Sequence, residues 1–406
     1  MLSYEDARLK VIEVTAGLRR IPAREKTRLE NSLGRILAQE IVADRDYPPF
    51  DRATRDGFAV RAVDCREVGA KVRLIGEIRA GGEFAETVGA GECVQIMTGA
   101  AVPRGADTVV MIEHTRTGGR ETEVTIERTA EAGMNIVPRG SESHAGDVLL
   151  RAKTRIGYAE IAIAAQVGAM ELEVYRKPRV VILSTGDEVV AVDALPGPFE
   201  IRNSNGVSLA AQGELAGAEV VLLGNAPDRI GELRKMIERG LEEDALVLSG
   251  GVSRGKYDLV EEVLRGLGAE FFFDALAIRP GRPAVFGICR GKPVFGLPGN
   301  PVSAMVTFEL LAVPAVDILS GGDARPLPLL KAKLSKGVEQ KAALTHFLPA
   351  VLDWANGEAT VSELPWQGSG DIATLARGNC FLVVHQSKLK LAAGEWVDVL
   401  PRRGLL

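Results

Sequence analysis

The chain has 406 residues, enough for two to four domains of ordinary size. Apolar residues at 46% and charged residues at 25% exclude disorder as the main state, because there is ample surface to bury. A formal charge of −5 excludes a global basic field for nucleic acid or an anionic membrane, so an anionic ligand has to be met by a local cluster.

In chain order, Ser3 with Asp6 three residues on predicts a helix start, and Leu9, Ile12 and Ala16 fall on one helical face that ends before Pro22. Residues 44–57 read as a loop containing Pro48-Pro49. From about residue 70 short β-type runs follow one another: Val72–Gly76, Cys93–Met97, Thr108–Ile112 and Glu123–Ile126. Helical spacing returns over Arg155–Val167, which suggests that the first helix and this one pack together and that the β-module is an insertion.

After Pro178 the pattern alternates. Val180–Leu183, Glu219–Leu223 and Leu246–Leu248 read as buried strands, with Asn205–Leu215, Asp228–Leu241 and Tyr257–Leu267 as helices between them. That predicts a parallel sheet with right-handed crossovers. A loop and a long amphipathic helix fill Pro298–Leu319, with Met305, Phe308, Leu311 and Ala312 on its core face. The remainder is β again: Phe347–Trp354 and Ala359–Leu364 flank Asn356-Gly357, a hairpin signal, and Phe381–Val384 and Trp396–Leu400 add strands. The resulting division is a discontinuous helical domain (1–45 and 141–177), an inserted β-module (46–140), an α/β domain (178–326) and a β-barrel-like C-terminal domain (327–406).

The N-terminus MLSYEDARLKVIEV is too charged for a signal peptide and no apolar run approaches ~18 residues, so a cytoplasmic location is expected. Cys65, Cys93, Cys289 and Cys380 lie far apart without a CxxC and read as buried thiols. His114, His144, His346 and His385 have no partners at ligand spacing and read as surface or locally bonded residues.

The chemistry concentrates at three predicted strand ends, where α/β sheets bind ligands. In Leu183-Ser-Thr-Gly-Asp-Glu188, Ser184 and Thr185 offer donors, Gly186 allows close backbone approach, and Asp187 and Glu188 supply carboxylates for a divalent ion or a proton. In the second, Ser249, Gly250, Gly251 and Ser253, followed by Lys256 and Asp258, make a phosphate cradle ahead of a helix. The third, GLPGNPVS (296–303), brings Pro298, Gly299 and Asn300 to another helix start. No GxGxxG follows the first of these strands and no GxxxxGK[ST] occurs, which removes the main support for dinucleotide or ordinary triphosphatase readings.

STGDE (184–188), SGGVS (249–253), Arg279-Pro-Gly-Arg-Pro283 and GLPGNPVS together resemble the molybdopterin-binding domain of molybdenum cofactor synthesis proteins. Outside that domain, the segment from Pro49 to Ala59 resembles PxFDxSxMDGYA, Gln95–Ala100 resembles IMTGA, Asn135–Gly140 resembles NIRxxG, and Gln367–Asp371 resembles a motif of the last domain. In order, these are similar to the molybdopterin molybdenumtransferase family (MoeA, the gephyrin E domain).

The resemblance implies an elongated homodimer with a site shared between the α/β domain of one chain and the β-module of the other. It implies insertion of molybdenum from molybdate into the dithiolene of adenylylated molybdopterin, with AMP released and Mg²⁺ required. By matching position it makes Asp56, Glu188 and Asp258 candidate catalytic residues. Glu188, Asp228 and Asp258 become candidate metal ligands, and Thr98, Arg139, Arg279 and Arg282 join the strand-end residues as candidate substrate contacts. The molybdopterin adenylyltransferase is a further candidate partner. Asp228 and Asp258 read equally as helix-start residues, and Asp56 as a turn aspartate before Gly57.

The chain departs from the family pattern at Ala53, Arg55, Phe58, Arg279, Arg282 and Glu142. A catalytically degenerate paralogue that carries molybdopterin or finished cofactor therefore stands as an alternative, as does an adenylyltransferase. The latter leaves PPFDRATRDGFA and the flanking β domains unexplained. Tungstate and molybdate are too alike in size and charge for the residue types to separate.

Overall fold

The computed structural model describes residues 1–18, 21–118, 122–251, 259–355 and 357–405. Ser3 caps the first helix, Tyr4–Gly17, by accepting from the Asp6 N–H at 3.0 Å. Its buried stripe is Tyr4, Ala7, Arg8, Val11 and Thr15, whereas Leu9, on the apolar face read from the sequence, is exposed. Both faces carry apolar residues at helical spacing, and the tertiary partner chose between them. That partner is the helical run Pro301–Leu319, with which Tyr4, Ala7 and Val11 share one core.

The first helix therefore packs on the α/β sheet's helices, not on the later helix Tyr158–Gln166 as expected. The later helix sits on the Leu29–Asn31 turn, over a core of Leu29, Leu37, Ile41, Ile156, Ala164, Leu172 and Val174. The segments either side of residues 46–140 are joined by strands instead. Arg24–Arg28 pairs antiparallel with Glu171–Tyr175, and Ile41–Val42 with Val148–Leu150.

Between those ribbons lies a six-stranded sheet ordered Thr108–Met111, Gly57–Val60, Glu92–Ile96, Lys71–Ile78, Glu123–Ile126 and Thr115–Thr117. Gly57–Val60, at the end of the expected loop, is a buried inner strand paired on both sides. Gly57 is fixed there because a Cβ would stand 2.0 Å from the Val110 carbonyl oxygen.

In the α/β part, the sheet order is Glu219–Ala226, Arg179–Thr185, Ala245–Ser249, Lys292–Leu297, Pro283–Cys289 and Glu270–Ala275. The first four are parallel, and the last two add antiparallel, so the sheet is mixed. The run Pro301–Leu319 is buried almost all round, not amphipathic, and a π-helical segment at Phe308–Ala312 interrupts it. It is apolar and long enough to cross a membrane by length and composition, contrary to the expectation of no such run, yet 89% of that window is buried in the protein. Buried Asp317 on this run accepts from Arg155 (3.0 Å) and Arg325 (2.8 Å), and buried Glu309 from Arg403 (2.7 Å). Buried charges persist only when paired in this way.

The C-terminal strands close into a five-stranded barrel, Thr345–Ala355, Glu358–Glu363, Leu330–Leu334, Trp396–Pro401 and Cys380–Val384, the last returning to the first. Gly357 turns the hairpin at φ +82, and its neighbour Asn356 lies outside the described residues. All four cysteines are buried and free, and burial pushes the Cys93 and Cys380 thiols up to about 12.

Candidate active site

The chain leaves Arg179–Thr185 for the outer strand Glu219–Ala226 and returns on the other side as Ala245–Ser249. The strand order reverses between Arg179–Thr185 and Ala245–Ser249. Connections leave such a point on opposite faces and keep a crevice open at the carboxyl ends. A cleft of about 740 Å³ lies there. All three loops predicted from the strand ends line it, contributing Ser184, Thr185, Gly186 and Glu188, then Ser249, Gly250 and Gly251, then Pro298, Gly299 and Asn300.

Glycine is required where these loops touch. Gly250 has φ +97, and a Cβ would stand 2.8 Å from the Thr185 carbonyl oxygen and 2.9 Å from its hydroxyl. Gly251, at φ +64, would meet the same hydroxyl at 2.9 Å. The two loops thus pack with no room for a side chain between them.

Glu188 and Asp228 both line the cleft, and Asp187 accepts from the Asp228 N–H at 3.1 Å. Asp228 is no helix cap: the next helix is Ile230–Gly240 with Arg229 at its N-cap position. Burial, then the charges of Asp187 and Glu188, hold the Asp228 carboxyl above its ordinary range. Among the described residues no three His, Cys, Asp or Glu side chains converge at metal-ligand spacing. Ser253, Lys256 and Asp258 lie outside the described residues.

Arg279 ends the short strand Ile278–Arg279, which pairs in parallel with Thr345–His346 of the barrel, Arg282 lies on the turn after it, and both are exposed. Neither arginine lines the cleft, though Pro283 next to them does. Neither makes an ion pair with a described carboxylate. The turn is pinned against the helix beyond, since a Cβ on Gly281 (φ +102) would meet Thr307 at 2.6 Å.

The remaining sequence candidates sit on the β-module and its edge, and none of them lines the cleft. The Asp56 carboxylate accepts from the Thr98 N–H at 2.6 Å and the Thr98 hydroxyl at 2.7 Å, bonds that hold its pKa below the ordinary range. Arg139 donates to Asp46 at 2.9 Å, and its backbone N–H to Asp51 at 2.8 Å.

Sequence reading missed Asn203 and Asn205, which line the cleft from the start of the helix Ser204–Ala216. Asn203 accepts from Ser184 Oγ (2.8 Å) and from the Gly206 N–H (2.9 Å). Asparagine before a helical run reads as an ordinary cap, which hid a second role. Gly370 and Ile372, beside the Gln367–Asp371 motif, bring the C-terminal domain to the same cleft, and the Val302 N–H donates to the Ser369 carbonyl at 3.0 Å.

Comparison with known proteins follows the same three regions. Residues 2–168 match a family model described as the MoeA N-terminal region (domain I and II), 181–317 one described as a probable molybdopterin binding domain, and 331–401 the MoeA C-terminal region (domain IV). The chain is 34% identical over 377 residues to a molybdopterin molybdenumtransferase of Staphylococcus aureus, covering 92% of this chain and 90% of that one. The corresponding Staphylococcus epidermidis protein is 33% identical over the same shares. A crystal structure of a molybdopterin biosynthesis MoeA protein from Pyrococcus horikoshii superposes with a TM-score of 0.74 at 32% identity, covering 97% of this chain and 98% of that one. A second from Pyrococcus horikoshii OT3 gives a TM-score of 0.80 at 27% identity, over 99% and 100%. Matched in order along nearly its whole length, the chain belongs to the molybdopterin molybdenumtransferase (MoeA) family.

Proposed function

We propose that this protein inserts molybdenum from molybdate into the dithiolene of adenylylated molybdopterin, releasing AMP, as a step of molybdenum cofactor biosynthesis. The observation that carries the reading is the cleft at the strand-order reversal, where three hydroxyl- and glycine-rich loops meet two carboxylates. Substrate and oxyanion are both strongly anionic. The loops offer backbone N–H groups to such oxygens, while Arg279 and Arg282 stay charged at any working pH. The dithiolene sulfurs belong to the pterin, in keeping with cysteines that are all buried.

Magnesium would find two described carboxylates in the cleft, short of a three-ligand cluster. Glu188 and Asp228 bring these two carboxylates to the cleft, with Asp187 beside them and Arg202 also on the cleft lining. Glu188 and Asp228, with Asp258, would hold the ion, which would supply neutralisation of phosphate charge. The chain's own residues orient the anhydride through the loop amides. Asp56, ionised and fixed by Thr98, completes the site from the β-module of a partner subunit in a homodimer, with Arg139 as an anion contact there. The enzyme works in the cytoplasm and takes its adenylylated substrate from the adenylyltransferase.

Incubating the purified protein with adenylylated molybdopterin, molybdate and Mg²⁺ tests this reading, with AMP release and active cofactor followed together. Both products are expected. ATP-dependent adenylylation of molybdopterin would transfer the chain to the adenylyltransferase chemistry, and binding without AMP release would make it a carrier.

A further inference from the structure

Among the described residues that line the cleft, two buried polar atoms have no hydrogen-bond partner, Asn205 Oδ1 and Thr185 Oγ1. The orientation of the Asn205 amide is settled by its neighbours. Its NH₂ group donates to the Gly299 carbonyl at 2.7 Å and to Ser249 Oγ at 2.8 Å, and a carbonyl oxygen only accepts. Oδ1 therefore faces the other way as a fixed acceptor. Thr185 lies against the loop of Ser249, at Gly250 and Gly251.

We infer that Asn205 is a positioning and specificity residue: its NH₂ group bolts the serine-glycine loop to the proline-glycine loop, and its Oδ1, with the Thr185 hydroxyl, binds the N–H edge of a ligand heterocycle. This rests on the functional reading above and deepens it. Phosphate and molybdate oxygens are themselves acceptors, so they cannot satisfy Oδ1. An amino or ring N–H group of a purine or pterin can. The anionic parts of the substrate are then left to the loop amides, and the uncharged edge lies at Asn205. Sites that hydrogen-bond a substrate edge reject analogues lacking it, because the protein's own groups would stay unpaired.

Calorimetric titration of wild type, Thr185→Val and Asn205→Ala with AMP, IMP and 6-hydroxymethylpterin, and separately with inorganic phosphate and molybdate, tests this. Thr185→Val keeps the shape and removes the unpaired hydroxyl, so the free protein should melt at the same temperature or higher while one heterocycle binds about tenfold more weakly. Asn205→Ala should lower the melting temperature and also flatten whatever discrimination wild type shows among the three heterocycles, a readout that a purely structural bolt would not move. A changed AMP-to-IMP ratio identifies the adenine amino group as the donor, and loss confined to the pterin identifies that ring. Phosphate and molybdate affinities should be unchanged in Thr185→Val. Wild-type heterocycle affinity and discrimination in both variants, or an equal loss for phosphate, would overturn the inference and leave the functional reading intact. A wild type that binds none of the heterocycles would overturn both.

Discussion

Replacing Gly250 by alanine tests whether the close approach of two strand-end loops shapes the cleft. Two costs are built into the position. At φ +97 an L-residue is strained, by about 1–3 kcal/mol. The new Cβ would also stand 2.8 Å from the Thr185 carbonyl oxygen and 2.9 Å from its hydroxyl, against ordinary contacts of 3.4 Å or more. Thr185 cannot retreat cheaply, because it ends a buried strand paired to Ala226. Gly250 would move instead and strain its N–H bond to the Leu297 carbonyl (3.0 Å), worth about 1 kcal/mol. The combined cost is about 2–4 kcal/mol, divided between lost stability and displaced loop. Urea denaturation reads the first share and kcat/KM for AMP release reads the second, with about 1.4 kcal/mol for each tenfold loss. Gly250→Ala should therefore lose about 2 kcal/mol of stability, about thirtyfold in kcat/KM, or an intermediate mixture. A variant within about 0.5 kcal/mol and threefold of wild type on both counts would show that the loops do not meet as described.

The shared-site reading makes a sharper demand on assembly. Asp56→Ala and Glu188→Ala chains, each inactive, should regain about a quarter of the normal sites when mixed and reassorted, since half the dimers are mixed and each has one intact site of two. Mixed dimers that form yet stay inactive would refute it. Arg279→Ala should raise the substrate concentration for half-maximal turnover about tenfold, with Arg279→Lys recovering much of it; equal values for wild type and alanine variant would remove Arg279 from the site. Asp228, whose carboxyl is held above its ordinary range by burial and by Asp187 and Glu188, takes up its proton sooner than an ordinary aspartate as pH falls. The folded state then binds more protons than the unfolded one, so without a cation Asp228 opposes folding increasingly as pH rises through its raised value, and bound Mg²⁺ should relieve this. Mg²⁺ affinity should accordingly weaken on acidification already above the usual aspartate range, and Asp228→Asn should abolish that part of the profile. An unchanged profile in the variant would detach Asp228 from the metal.

What the sequence determined alone was local grammar. Strand-end loops at 184–188, 249–253 and 296–303 were readable because glycine and hydroxyl residues break a buried apolar run, and that signal needs only neighbours in the chain. All the described residues of those loops that were expected at the ligand, except Asp187, line one cleft. The helix cap at Ser3 and the hairpin around Gly357 were legible for the same reason. Tertiary structure decided whatever had two locally equivalent answers. The first helix carries apolar residues on two faces, and contact with the Pro301–Leu319 run selected Tyr4, Ala7 and Val11 over Leu9. Gly57–Val60 became an inner strand because partners lie on both sides, which no pattern in a Pro-rich charged stretch announces. Asn205 looked like one more polar residue at a helix start. Only the folding of residues 249 and 299 to within hydrogen-bond reach of its amide made it part of the cleft, because such contacts depend on distance through space and not along the chain.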